Sequence, residues 1–302
     1  MTASTRLRIR LFGDLSLTSR GEAVGLATSA APIIGYLIVH RDRAVPRGEL
    51  AGALWPERSD MRARRCLSTA LWRIKSHAAM HELIDCSHHE MLRVNWRAAR
   101  WVDTVMFERR ASTILRTAPE MLDEVQYRQL RAAVALYRSD LMRSSDQEWA
   151  MIERQRLRHL HLDALFHLAH AAEARGDMQG AIGFGRQLSA LEPLREDAHR
   201  LLMRIYVSSG NRAKAIEQYR ICQGELSTEL NVDPTAETQA LFATIIGDAQ
   251  PSVAAPEDRR AASLDALSAR VRYARRAIAA ADLRLVDALT LVQRAQRVAD
   301  PF

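Results

Sequence analysis

Cysteine is scarce in this chain and so is everything that builds a catalytic pocket. The three cysteines, Cys66, Cys86 and Cys222, are widely spaced and odd in number, which fits neither a disulfide framework nor a zinc cluster and leaves free thiols. Aromatic residues make up only 6% while 48% of residues are hydrophobic, so a large aliphatic core of helical type is available. Apolar runs of about 18 residues, the length of a membrane span, are missing, and MTASTRLRIR lacks the apolar centre of a secretion signal. A cytoplasmic protein is expected. Glycine-rich phosphate loops, paired carboxylates on one helix and nucleophile motifs are all missing too, so no enzyme and no cofactor is expected.

What is present is an excess of positive charge in one place. The net charge is +7. Residues 1–102 hold 16 Arg or Lys against 9 Asp or Glu, whereas residues 103–302 hold 27 of each. Attraction to a polyanion is therefore local to the first third. Nearly all of these cations are arginine, the side chain that contacts phosphate and guanine edges in bidentate fashion, although a GC-rich genome yields the same bias.

The centre of that third is Met61 to His77, MRARRCLSTALWRIKSH. Helical spacing puts Ala63, Leu67, Ala70, Leu71, Ile74 and Ala78 on one apolar stripe. The opposite face carries Arg62, Arg65, Ser68, Thr69, Trp72, Arg73 and Ser76, flanked by Arg64 and Lys75. Cations mixed with short hydrogen-bonding side chains suit a DNA groove. An amphipathic core helix with solvated arginines has the same pattern. Upstream, Arg47 to Trp55 reads as a second short helix, with Pro56 stopping it and Ser59 or Asp60 placed to cap the next. Helix, tight polar connection and basic helix form a helix-turn-helix-like unit.

Around this unit, Leu7, Ile9 and Leu11 alternate with Arg6, Arg8 and Arg10, the period of a half-buried strand. Turns at Gly13-Asp14 and Gly21-Glu22 lead into Leu15 to Thr18 and Val24 to Leu26, completing a small antiparallel sheet. Ser29 can cap an apolar core helix reaching about His40, and Val45-Pro46 opens the next helix. Leu83 to Cys86 and Met91 to Val94 form a wing, with His88 and His89 at its tip and Arg93 on its return strand. These histidines suit phosphate or minor-groove contact, and equally an ordinary polar turn. A metal set of His81, His88 and His89 lacks further ligands at tetrahedral spacing.

Beyond Asp103 the periodicity is helical throughout. GDMQGAIGFGRQL from Gly176 and GNRAKAIEQYRIC from Gly210 align at an offset of 34 residues, the tetratricopeptide period, with Ala181 on Ala215, Ile182 on Ile216 and Arg186 on Arg220. Such repeats stack into surfaces for partners.

The order RIRLFGDLSL, ELAGALWPE, ARRCLSTALWRIK, LRVN and WVDTVMFE resembles the winged-helix region of the Streptomyces antibiotic regulatory protein family, related to OmpR-type output domains. ALYRSDLM, DQEWA, RLRHLHLDAL, ALEPLREDAHRLLMRIYVSSGNRAKAIEQYRIC and ELNVDPTAETQALF resemble the bacterial transcriptional activation domain that accompanies it. The resemblance covers roughly residues 6–246. It implies a mainly α protein: a winged helix (small sheet, three helices and a wing) over 1–102, then a tetratricopeptide-like dimerisation and activation module over 103–247. It also implies that Met61 to His77 reads DNA, and that promoter DNA, RNA polymerase holoenzyme and a second copy are the partners. Direct-repeat half-sites would then need a head-to-tail dimer or a flexible joint near Arg100 to Asp103. No Walker A sequence occurs in these residues, so the ATPase domain of larger family members is not expected, and phosphorylation control of the response-regulator kind is not implied. Residues 248–262 read as a linker. Over 263–300, Leu264, Val271, Ile278, Leu285, Val292 and Ala299 recur in heptads with Leu267, Ala274, Ala281, Ala288 and Ala295, as in a long helix that self-associates or packs back on the repeats. A repeat scaffold whose winged helix contacts protein or nonspecific nucleic acid is the alternative.

Overall fold

The computed structural model describes residues 7–86 and 90–247. The expected linker and heptad helix, and the wing-tip residues His88 and His89, lie outside them.

The alternating N-terminal pattern does form a strand, β1 (Leu7–Arg10), with Leu7 and Ile9 buried and Arg8 and Arg10 exposed. It pairs antiparallel with β2 (Ser16–Ser19), which pairs with β3 (Glu22–Val24). A fourth strand, β7 (Ala99–Val102), joins the free edge of β1 in parallel, so the sheet order is β3-β2-β1-β7 and the sheet is not wholly antiparallel. The core helix α1 (Ala30–Val39) follows. Ser29 precedes it but makes no side-chain cap, because its backbone is already helical (φ −75, ψ −12) and does not present the hydroxyl to the first-turn amides. A second small sheet, β4-β6-β5, is made of β4 (Val45–Pro46), β6 (Met91–Val94) and β5 (Ile84–Asp85). Between β4 and β5 lie α2 (Arg47–Leu54) and α3 (Asp60–Ser76).

The helical part begins without a break, as α4 (Asp103–Ile114) starts at the residue after β7. Asp103 is 3% exposed and accepts hydrogen bonds from the N–H of Leu11 (2.8 Å), Phe12 (3.1 Å) and Thr104 (2.8 Å). Burial pushes its carboxyl up and these three donors push it down. The chain beyond α5 (Glu124–Val134) then returns to the sheet: Met142 N–H donates to Leu11 O, and Gly13 N–H to Asp140 O. Arg154, from α6 (Glu148–Ala174), holds this return segment by donating to the carbonyls of Leu141, Met142 and Ser145. On the other side α1 packs so tightly that a Cβ at Gly35 would lie 2.4 Å from Met142 Sδ. One hydrophobic cluster consequently runs from Leu7 to Ile205 across the expected domain boundary. A flexible joint at Arg100 to Asp103 is not what the structure contains, since those residues are a paired strand and a buried carboxylate.

The remaining helices are α7 (Met178–Leu191), α8 (Glu196–Ser208), α9 (Arg212–Leu230) and α10 (Ala236–Gly247). The two aligned segments occupy equivalent places. Gly176 and Gly210 both adopt φ +74 in the turns after α6 and α8, a left-handed conformation natural to glycine. Asp177 then caps α7 through Gly180 N–H and Asn211 caps α9 through Lys214 N–H. Ala181 and Ala215 are fully buried, and a Cβ at Gly185 would meet Leu202 at 2.7 Å. Small residues thus let α7 and α8 approach closely. Cys66 and Cys86 are half-buried, Cys222 is buried, and all three are free. No described helix is long and apolar enough to cross a membrane.

Two stability predictions follow from this packing. Asp103→Ala orphans buried amides of two segments at once and should cost about 2–4 kcal/mol in urea unfolding, at about 1–3 kcal/mol per unsatisfied buried group; a loss under about 0.5 kcal/mol would show the bonds to be dispensable. His161, on α6, is 6% exposed and stacks on Tyr137 at 4.1 Å. Burial, aided by the Arg158 charge, lowers its imidazole to about 4. The folded state therefore resists a proton that the unfolded chain accepts from about pH 6.5 downward, so stability falls as pH drops from 6.5 toward 4. The share due to His161 is about 3 kcal/mol at roughly 1.4 kcal/mol per unit. His161→Phe should flatten this part of the pH profile; an unchanged slope would assign it to other groups.

Candidate nucleic-acid interface

α3 is amphipathic because its sequence alternates at helical spacing. Ala63, Leu67, Ala70, Leu71 and Ile74 are all at most 4% exposed and pack into the core. Ala78 is the exception. The helix stops at Ser76, His77 is extended, and Ala78 is exposed, its place in the core being taken by Met80. At the start, Ser59 has the extended backbone of a cap and its carbonyl accepts from Ala63 N–H, but its side chain makes no capping bond. Asp60 in the first turn complements the helix dipole instead.

Every residue expected on the outward face is there: Arg62, Arg64, Arg65, Ser68, Thr69, Trp72, Arg73 and Lys75 are all exposed. They are not equivalent. Ser68 Oγ donates to Arg64 O (3.0 Å) and accepts from Arg47 Nη2 (3.2 Å), and Thr69 Oγ1 donates to Arg65 O (3.1 Å). Arg64 is paired with Asp60 (3.1 Å) and faces Glu90 (3.9 Å). Arg62, Arg65, Arg73 and Lys75 have no ion pair among the described residues. Trp72 is 67% exposed, so it does not support the fold by burial. An exposed indole on the same helix face as these cations presents a flat apolar surface and an N–H donor.

The wing strands β5 and β6 pair antiparallel, with Ile84 opposite Val94 and Asp85 opposite Arg93. Arg93 is exposed. His81 Nδ1 lies 2.8 Å from Ala78 O and its Nε2 3.7 Å from Glu82 Oε1. A cleft of about 890 Å³ lies past the end of α3, where Lys75, Arg93, Arg97 and Trp96 share its walls with Asp42, Glu82 and Asp85. Arg47, Trp96 and Arg97 were not singled out by the helical pattern of α3. The signal for the last two is present in RVNWRAAR, where an aromatic is interleaved with arginines.

These elements define a winged helix fused to tetratricopeptide-like repeats. Residues 102–246 match the bacterial transcriptional activator domain. The chain is 25% identical over 253 residues to the transcriptional regulatory protein MoaR1 of Mycobacterium tuberculosis, covering 81% of each. It is 26% identical over 259 residues to the regulatory protein AfsR of Streptomyces coelicolor, covering 83% of this chain and 25% of that one. Its fold matches Mycobacterium tuberculosis EmbR, solved in complex with a low affinity phosphopeptide, at a TM-score of 0.67 and 21% identity over 81% of this chain and 66% of that chain. The class is that of bacterial transcriptional regulators. The chain is similar to the Streptomyces antibiotic regulatory protein family, with a bacterial transcriptional activator domain over residues 102–246.

Trp72→Ala should leave thermal stability within about 0.5 kcal/mol of the parent, as for exposed positions generally. A drop in midpoint of several degrees would show that this indole braces the fold.

Proposed function

We propose that the protein binds promoter DNA sequence-specifically through the outward face of α3, with the wing and the cleft beside it on the flanking backbone. The observation that carries this is the exposed set Arg62, Arg65, Arg73 and Lys75, without carboxylate partners among the described residues, on a helix whose other face is committed to the core. Such an arrangement suits a major groove, where arginine reads guanine and short hydroxyl side chains accept either base. His88, His89 and Arg93 belong to the wing and are proposed to meet phosphate or the minor groove.

A single winged helix reads few base pairs, so two copies on neighbouring half-sites are needed for useful specificity. Because the winged helix and the repeats share one core, a symmetric dimer made through the repeats would fix the two recognition helices as an inverted pair. Direct repeats therefore call for head-to-tail contact. RNA polymerase is proposed to meet the repeats, whose groove between α7 and α9 is about 460 Å³ and is lined by Arg186, Leu202, Tyr206, Lys214, Ile221 and Glu225. That groove is equally the feature favouring the second reading, a scaffold that binds other proteins. The two readings separate on DNA.

Sites are first obtained by selection from a random-sequence duplex library. Arg65→Ala should weaken the selected duplex by tenfold or more, about 1–3 kcal/mol for one base or phosphate contact. Log affinity should fall with log salt by about 0.9 per phosphate contacted. Inserting five base pairs between half-sites about 10–11 base pairs apart should abolish cooperative binding, and inserting a full turn should restore part of it. Failure to select any consensus, with a flat salt response, would leave the scaffold reading.

A further inference from the structure

The turn between β1 and β2, the start of α1 and the return segment between α5 and α6 meet without filling the space among them. They leave a cavity of about 640 Å³, within the range of small-molecule sites, roughly 300–1,000 Å³. Its walls are held by bonds that do not depend on any content. Ser144 N–H donates to Asp14 Oδ1 at 3.1 Å and Gln147 Nε2 to Leu54 O at 3.2 Å, while Arg154 grips the carbonyls of Leu141, Met142 and Ser145. Met142 has φ +40, a conformation that side chains other than glycine seldom adopt, and its sulfur packs against Gly35. A segment pinned at both ends in this way cannot collapse into the space, so the cavity is preformed and an occupant need order little.

The lining is one-sided in charge. Leu15, Leu26, Ala31, Pro32 and Met142 give it an apolar wall, and its charged members are Asp14 and Asp146. Met142 is buried and the other four apolar residues are half-buried, whereas both carboxylates are exposed, so the charge stands at the mouth and the apolar surface lies deeper. Hydrogen bonding by Ser144, with a smaller effect of the Arg143 charge, holds the Asp14 carboxyl below its usual range. It is ionised at neutral pH. An anion would meet repulsion at this mouth, and a bare inorganic cation would leave the apolar wall unused. An ammonium group on an apolar body satisfies both parts.

We propose that this cavity is a binding site for a small amphiphilic amine, its ammonium group at the carboxylates of Asp14 and Asp146 and its apolar body against Leu15, Leu26, Pro32 and Met142. The inference goes beyond the DNA-binding reading and stands independently of it. Asp14 and Leu26 come from the winged-helix part and Met142 and Asp146 from the helical part, so an occupant adds contacts between the two. Binding to the folded chain alone stabilises that junction by mass action.

The test titrates phenethylamine into the isotope-labelled full chain and follows backbone amide shifts by NMR. Shifts at Leu15, Thr28 and Ser144 should saturate with a Kd on the order of millimolar, as for any ligand so small. Phenylpropionate has a similar shape and the opposite charge, and methylamine has the charge without the apolar body. Each should bind at least about fivefold more weakly. Asp14→Asn keeps an acceptor for Ser144 N–H, so the wall survives; it and Asp146→Asn should each weaken phenethylamine by about two- to fivefold, and the double variant by about tenfold. Ala31→Leu fills the cavity from the first turn of α1 without touching either carboxylate, and should abolish saturable binding. Shifts that do not saturate, equal binding of either comparator, or full affinity in the double variant or in Ala31→Leu would overturn the site. None of these outcomes bears on whether α3 meets DNA.

Discussion

The carboxylate of Asp103 receives backbone N–H groups from the strand end at Leu11 and Phe12 and from its own helix at Thr104. A buried carboxylate is costly unless such donors surround it, so the end of β1 and the start of α4 are held in one geometry. The return segment at Leu141 and Met142 closes on the same strand end, and Arg154 fastens it from α6. A regulator could join its DNA-facing part to its repeats through a loose linker. Here they meet through a strand ladder, a buried charge and a common core, so that whatever the repeats engage is in register with α3.

That rigidity gives the charge distribution its meaning. The basic excess lies in the first third, and α3 presents it on a face whose reverse is fully buried. Among the described residues Arg62, Arg65, Arg73 and Lys75 have no ion pair there, while several arginines of the helical part are engaged by the fold: Arg154 by carbonyls, Arg158 by Glu192, Arg195 by Asp197, and Arg200 by Glu237. Whether carboxylates or carbonyls lie within reach thus decides whether an arginine is engaged by the fold.

Much of this is legible in the sequence. The alternation of Leu7 and Ile9 with arginines, the stripe of Ala63 to Ile74, and the 34-residue offset of Gly176 and Gly210 are local periodicities, and each corresponds to the element expected. What escaped depends on distant pairing. The parallel addition of β7 to β1 joins residues about ninety positions apart, and Asp103 reads as a polar residue at a helix start until its donors from Leu11 and Phe12 are seen. Ala78 continues the apolar spacing past the end of α3, because a small apolar residue at the right spacing does not reveal that the backbone has already turned extended at His77. Within the site, exposure of the α3 face followed from the pattern, whereas the engagement of Arg64 by Glu90 and of Ser68 by Arg47 did not, since both partners come from other elements.

The central claim is that the outward face of α3 is the surface that meets DNA, and contact mapping tests it without relying on affinities. A photoreactive amino acid placed at Thr69 on α3, and in a separate protein at Ser189 on α7, should be irradiated on a selected duplex. The account requires crosslinks from position 69 to bases within the half-site and none from position 189. Crosslinks from position 189 with silence at position 69 would contradict it and move the DNA to the repeats.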